Sequence, residues 1–322
     1  MLEDQGGRIS LAAQKAMPGG PFRNLNGAIS QLRLIDRRDG SDRVIFKTSG
    51  LIEAPNWTPD GTALLLNGHG RMFRLGLSGD FAPVDDPALT PIDIGSVEDP
   101  NNDHVISPDG RFLYISAGGA VFAVPTRGGE PRELTPQGRV RFFLHGVSPD
   151  GQWLACTTID MGSINERWGI QLIPAAGGAA RPVLLGPKPV DGPEWSPDGQ
   201  WIWFNGELEA DEPGHAQIFR MRADGTQVTR IVRSPAVDWF PHPSPDGSAI
   251  SFIRYPAGTL GHPPDRAVEI WQFGLHDESL VRLARFRGGQ GSFNVNSWSP
   301  CGHYIAYVAY PLVTAAPASG MP

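Results

Sequence analysis

Three of the eight histidines in this 322-residue chain stand just ahead of a recurring turn. His104, His145 and His242 each lie two or three residues before the Ser of a Ser-Pro-Asp-Gly. Imidazole changes charge near neutral pH and is the commonest nitrogen ligand for metals. Three of them on three separate segments could hold one divalent metal as cofactor, or divide acid and base roles between them. Other polar groups share the pre-turn position: Asn102, Asp191, Glu194, Asp238 and Asn294, with Gln290 just ahead of them. Asn56, Asn101, Asp103 and Asn296 extend the set, and His262 lies in the loop "YPAGTLGHPPDR". Trp239 beside Asp238 could stack on a sugar ring. None of these residues has the local spacing of a metal motif such as Cys-x-x-Cys or His-Glu-x-x-His, so the fold must bring them together. The same residues would also line a water-filled channel without a dedicated site, and Asp or His before a turn can bond nearby backbone. A metal site, a site for a sugar or small polar ligand, and a solvated lining therefore all stand at this point.

The turn that anchors these residues occurs six times, as "WTPDG", "ISPDG", "VSPDG", "WSPDG", "PSPDG" and "WSPCG". The Ser or Thr positions are 58, 107, 148, 196, 244 and 299, spaced by 41 to 55 residues. Periods of that size signal propellers or stacked arrays. Each repeat reads alike: strand A, the turn, strand B ("RFLYISA", "QWIWFNG"), strand C ("AVFAVPT", "QIFRMRA"), a Gly-containing hairpin and a short strand D. Four antiparallel strands make a propeller blade. The sixth repeat has only A and B, and "SQLRLIDRRDGSDRVIFKT" near the N-terminus reads as its strands C and D around an Asp-Gly hairpin. The expected fold is all-β, a six-bladed β-propeller whose last blade is closed by strands from both termini. Residues 29–310 form the propeller, with an N-terminal arm at 1–28 and a C-terminal tail at 311–322.

Composition agrees. Forty Gly, 31 Pro and nine Trp suit many short strands and tight turns better than long helices. A formal charge of −7 and a pI near 5.6 speak against nucleic acid or an anionic membrane as the main partner. No stretch approaches the ~18 apolar residues of a membrane span. Two cysteines do not make a disulfide framework, and the N-terminus lacks the apolar run of a secretion signal, so a cytoplasmic protein is expected. Cys156 reads as core, and Cys301 as an exposed replacement of the turn Asp. Six tryptophans, Trp57, Trp153, Trp195, Trp201, Trp203 and Trp298, are expected to pack between blades.

In a blade, the A–B and C–D turns share one face, and the D–A and B–C loops share the other. The Ser-Pro-Asp-Gly turns thus mark a regular face, opposite a face of irregular loops. Six of the eight histidines map to the irregular face or the channel wall, where function on a rigid scaffold concentrates.

The Ser-Pro-Asp-Gly-x-x-Ile/Leu repeat resembles the propeller of the TolB family, over about residues 29–310. The stretches "NNDHVISPDG", "DGPEWSPDG" and "DWFPHPSPDG" are similar to a propeller-only, TolB-like bacterial group without the N-terminal α/β domain of the envelope members. Oligogalacturonate lyases resemble the chain more distantly, and they are seven-bladed, metal-dependent enzymes with histidine ligands. The resemblance implies a binding propeller for a protein segment or small polar ligand, with a carbohydrate lyase or hydrolase as the alternative.

Overall fold

The computed structural model describes residues 24–82, 89–136, 138–162 and 167–313. Six antiparallel sheets follow one another around a ring. Chain order begins in the closing blade, with β1 (Ser30–Asp36) and β2 (Asp42–Thr48). Blade one comprises β3 (Glu53–Trp57), β4 (Ala63–Gly68), β5 (Arg71–Gly76) and β6 (Leu89–Ile92). Blade two holds β7 (His104–Ile106), β8 (Phe112–Ala117), β9 (Ala120–Pro125) and β10 (Arg132–Glu133). Blade three holds β11 (Val140–Val147), β12 (Trp153–Asp160), β13 (Arg167–Pro174) and β14 (Arg181–Gly186). Blade four is β15 (Val190–Trp195), β16 (Trp201–Gly206), β17 (Gln217–Arg222) and β18 (Thr229–Arg230). Blade five is β19 (Val237–Pro243), β20 (Ala249–Tyr255), β21 (Arg266–Gly274) and β22 (Leu280–Gly288).

The sixth blade is built from both ends of the chain, as expected. β23 (Tyr304–Ala309) pairs with β1, with Gln31 opposite Ala309 and Asp36 opposite Tyr304. Trp298 supplies the innermost bridge, to Ile305, and Ala28 bridges Leu312 outside the blade. The expected arm and tail lie mostly at 1–23 and 314–322, outside the described residues.

What holds the ring is apolar burial between neighbouring blades. Leu65 and Met72 of blade one pack with Ile106, Leu113 and Ile115 of blade two, for example. A matching cluster joins blade six to blade one through Leu32, Leu34, Ala306 and Val308 against Leu64 and Leu66. Each fully buried aliphatic side chain is worth roughly 1.5–3 kcal/mol, so strand B of every blade can be apolar on both faces. Of the six tryptophans expected between blades, Trp57, Trp195, Trp203 and Trp298 are buried there, and Trp153 packs against the same layers. Trp201 instead carries the guanidinium groups of Arg220 and Arg222 over its ring, at 4.2 and 4.3 Å.

The repeated turns close on themselves. In five of them the Ser or Thr hydroxyl donates to the turn Asp Oδ1 at 2.5–2.6 Å. The same carboxylate accepts the backbone N–H two residues on at 3.0 Å. The turn glycines have φ near +70°, which a side chain would strain. The regular face is thus internally satisfied.

Candidate functional site

Strand A runs from the irregular face toward the turn, and bulges decide where its side chains point. In β11 the register passes from Leu144↔Cys156 to Gly146↔Ala155, so His145 is the extra, unpaired residue. A bulge re-aims the side chain it carries. β3, β15 and β19 are irregular at the equivalent place, between Glu53 and Asn56, Asp191 and Glu194, and Trp239 and His242. There Ala54, Gly192 and Phe240 take positive φ, of 51°, 63° and 55°. At Gly192 a Cβ would meet Asn205 Oδ1 at 2.9 Å and the Phe240 ring at 3.1 Å, so close packing as well as φ asks for glycine.

Two polar clusters result. The first lies at the irregular mouth of the channel. His145 Nε2 donates to Asp191 Oδ1 at 2.9 Å, across blades three and four. The same oxygen accepts from Thr157 Oγ1 and from the Gly192 N–H, both at 2.8 Å. Asp191 Oδ2 faces His262 Nε2 at 3.7 Å. His262 Nδ1 bonds Gln290 Oε1, which also accepts from Asn294 Nδ2 at 3.2 Å. With its amide set to suit its neighbours, Asn102 accepts from Gln290 Nε2 at 3.0 Å and donates to Glu53 Oε2 at 3.3 Å. Asp103 joins from blade two, its Oδ2 held by Asn101 Nδ2 at 2.7 Å. The His262 ring packs on Trp239 and Phe240, with centroids 4.4 and 4.9 Å away.

Charge is distributed unevenly in this cluster. Burial disfavours the His145 cation, but Asp103 and Asp191 outweigh it and raise its pKa to about 9. Burial likewise opposes the Asp191 anion, yet His145, His262 and Thr157 together hold its pKa at about 2. Burial and the nearby Asp191 charge push Asp103 up to about 6, against the pull of His145 and Asn101. Burial lowers the pKa of His262. At neutral pH the mouth therefore holds a His145–Asp191 ion pair, a mostly ionised Asp103 and a neutral His262.

The second cluster lies three residues further along strand A. His242 Nδ1 faces Glu194 Oε2 at 2.5 Å, and its Nε2 faces the Phe293 carbonyl at 3.1 Å. Asn296 Nδ2 donates to Glu194 Oε1, so blades four, five and six are tied at one point.

The expected residues divide accordingly. Asn102, His145, Asp191, His262, Gln290 and Asn294 meet at the mouth. Trp239 stands behind His262 and is 7% exposed, its ring face used by protein neighbours. Glu194 and His242 belong to the deeper clasp. Asp238 is fully buried and paired with Arg254 at 2.6 and 2.9 Å, its cross-strand neighbour, so its carboxylate serves the blade. His104 is also fully buried, near the backbone of Ala54 and Leu65, and burial lowers its pKa to about 4. The structure does not bring His104, His145 and His242 together. Among the described residues, no three His, Cys, Asp or Glu side chains are arranged to hold a metal. The physical reason is strand geometry: His242 stands two residues before its turn Ser and the other two three before theirs, and of those two His145 is bulged while His104 pairs in regular register with Ile115. Thr157 and Phe240 were missed from the sequence because they look like ordinary strand residues. Glu53 was readable, since it occupies the place of Asp191 in an aligned Pro-x-x-Thr-Pro-Asp-Gly strand.

A relative from Agrobacterium fabrum, an uncharacterized protein, is 37% identical over 298 residues, covering 91% of this chain and 94% of its own length. A solved TolB candidate from Agrobacterium tumefaciens superposes with a TM-score of 0.80 at 37% identity, over 89% of this chain and 99% of that one. The chain belongs to the TolB-like propeller family. TolB from Acinetobacter baumannii shares the fold at a TM-score of 0.59 and 15% identity, over 88% of this chain and 69% of its own. A manganese-bound oligogalacturonate lyase, also 15% identical, gives 0.53 over 80% of this chain and 67% of that chain. At that identity the likeness is one of fold. No family profile matches the chain. No helix among the described residues is long and apolar enough to cross a membrane. The TolB-like ring thus presents a self-satisfied turn face and, at its other end, a charged mouth.

Proposed function

We propose that this TolB-like propeller is a binding module that takes a small polar ligand, or a protruding protein segment, at the irregular mouth of its channel. The observation that carries this reading is the convergence there of polar side chains from blades one to five and from the strand entering blade six. On the turn face, by contrast, the Ser or Thr and Asp side chains of five repeated turns bond one another. The same face also carries exposed apolar side chains in its B–C loops: Met161 and Leu260 are 42% and 56% exposed. Apolar contact around oriented polar groups is how small-ligand sites combine affinity with specificity.

A thermal-shift panel of neutral sugars, sugar acids, primary amines, carboxylates and short peptides tests the proposal. At least one class is expected to raise the melting temperature of the wild type, with the rise lost in Gln290→Ala. If no class shifts the protein, or the shift survives in the folded variant, the mouth is not the site.

A further inference from the structure

We infer that the ligand presents a primary ammonium group to the mouth, held between His262 Nε2 and Asp191 Oδ2. This rests on the binding-module reading above and names its ligand class. The hydrogen-bond directions at the site can be fixed from the backbone outward. The Gly291 N–H can only donate, and it does so to Asn294 Oδ1 at 2.8 Å. Asn294 therefore turns its amide nitrogen to Gln290, 3.2 Å away, so Gln290 presents its oxygen on that side. That oxygen accepts from His262 Nδ1, which makes Nδ1 the protonated nitrogen of the ring. His262 Nε2 is then a lone pair. It faces Asp191 Oδ2, another acceptor, at 3.7 Å, too far for a hydrogen bond between them.

Two acceptors 3.7 Å apart call for a donor that bridges both from the open side, off the line that joins them. Asp191 Oδ1 is served by three donors, whereas Oδ2 has no hydrogen-bond donor among the described residues. The side chains are not sealed: Asp191 is 17% exposed and His262 9%. Charge selects the kind of donor. His145 balances Asp191, and the carboxylate of Asp103 is left over in a buried surround. A cationic donor neutralises that excess, whereas a neutral hydroxyl leaves it. Phe240 lies against both His145 and His262, with centroids 5.7 and 4.9 Å away, so an aromatic ring adjoins the two imidazoles that flank Asp191, and aromatic rings favour cations.

Isothermal titration calorimetry on the full chain at pH 7.5 tests the inference with three small probes. Propylammonium chloride carries charge and donors, 1-propanol a donor without charge, and tetramethylammonium chloride charge without a donor. Propylammonium is expected to bind at least about tenfold more tightly than either of the others, since both charge and N–H donors are used. His262→Phe, which keeps a ring and removes the acceptor, should weaken propylammonium about tenfold or more. His262→Gln serves if the Phe variant does not fold. Nα-acetyl-lysine amide and Gly-Gly amide distinguish the source. Tighter binding of either than of propylammonium points to the lysine or amino terminus of a protein segment, and the reverse order to a free amine. Equal binding of tetramethylammonium or 1-propanol, or no loss in a folded His262 variant, overturns the inference. If no amine binds while a sugar or acid of the thermal-shift panel does, the ammonium inference falls and the binding module stands. If nothing binds at all, both fall.

Discussion

His145 Nε2 and Asp191 Oδ1 are 2.9 Å apart, and the pair joins blade three to blade four at the channel mouth. His145 reaches Asp191 because it is the bulged residue of β11, and Asp191 is set by the Gly192 N–H next to it. A local departure from strand regularity thus creates the central charge pair of the site.

Asp191→Asn should remove that pair and with it a pH dependence of stability. The His145 pKa rises from 6.5 to about 9 on folding, so its contribution is fully present below pH 6.5 and is lost as pH climbs through 9. Asp191 is depressed from 3.8 to about 2, so its share is present above pH 3.8 and is lost as pH falls through 2. Both are whole between about pH 4 and 6.5, and the variant should be most destabilised there. The loss should fall below the ~3–5 kcal/mol of a broken buried pair, because the orphaned imidazole can shed its proton. Urea denaturation at pH 6 and pH 9.5 checks it, and an equal loss at both would contradict the assignment.

Asp103→Asn should act in the opposite sense. Asp103 is 7% exposed, and its pKa is raised from 3.8 to about 6, chiefly by burial. A raised carboxylate favours folding when protonated, so wild-type stability falls as pH rises through that interval and is level above it. The amide has no such penalty. The variant's stability relative to wild type should improve between pH 4 and pH 7, by on the order of 1–3 kcal/mol. Melting curves at the two pH values measure the difference, and a constant difference would refute the cause given.

Much of this was legible in the residues. Six copies of one turn, and a half-repeat at each end, were enough for the ring and its closure, because turn chemistry is local and periodic. Six of the eleven candidate site residues meet at the mouth for the same reason: loop position in a blade decides the face. The histidine triad was not legible. His104, His145 and His242 all stand within three residues of a turn Ser, yet one residue of offset reverses the side of a strand, and bulges in β11 and β19 shift it again. Asp238 was misplaced for a different reason. Its partner Arg254 is fixed by cross-strand register, which single-strand reading does not reveal.

His242 should matter for ring closure. Its ring joins Glu194 of blade four to the Phe293 carbonyl ahead of blade six. His242→Ala leaves Glu194 buried with Asn296 as its remaining side-chain partner and is expected to cost about 3 kcal/mol. The double variant with Glu194→Ala should cost less than the two single changes added together, since each single leaves an orphan. A double-mutant cycle by chemical denaturation reads this, and strict additivity would show that the two side chains are not coupled.

Cys301→Asp should stabilise the fold. In five turns the Asp carboxylate accepts a Ser or Thr hydroxyl and the N–H two residues on, and the sixth has Cys301, where Ser299 Oγ still accepts the Tyr304 N–H at 2.9 Å but meets a thiol at 3.3 Å in place of the carboxylate. The φ of Gly302, 72°, matches the other five turn glycines, so the backbone already has the geometry an Asp requires. Cys301 is exposed, so the new carboxylate would not be desolvated. Restoring charge-assisted acceptance should gain about 1 kcal/mol, a rise of roughly 2 °C in melting temperature for a domain of this size. The sister carboxylates have lowered pKa values, about 2 for Asp109 and Asp246, because of these same hydrogen bonds. The gain should therefore be complete above pH 4 and disappear as pH falls through 2. Scanning calorimetry of wild type and variant at pH 7 gives the first number. A variant that melts at or below the wild-type temperature would mean that the sixth turn is held by something other than the carboxylate its sisters use.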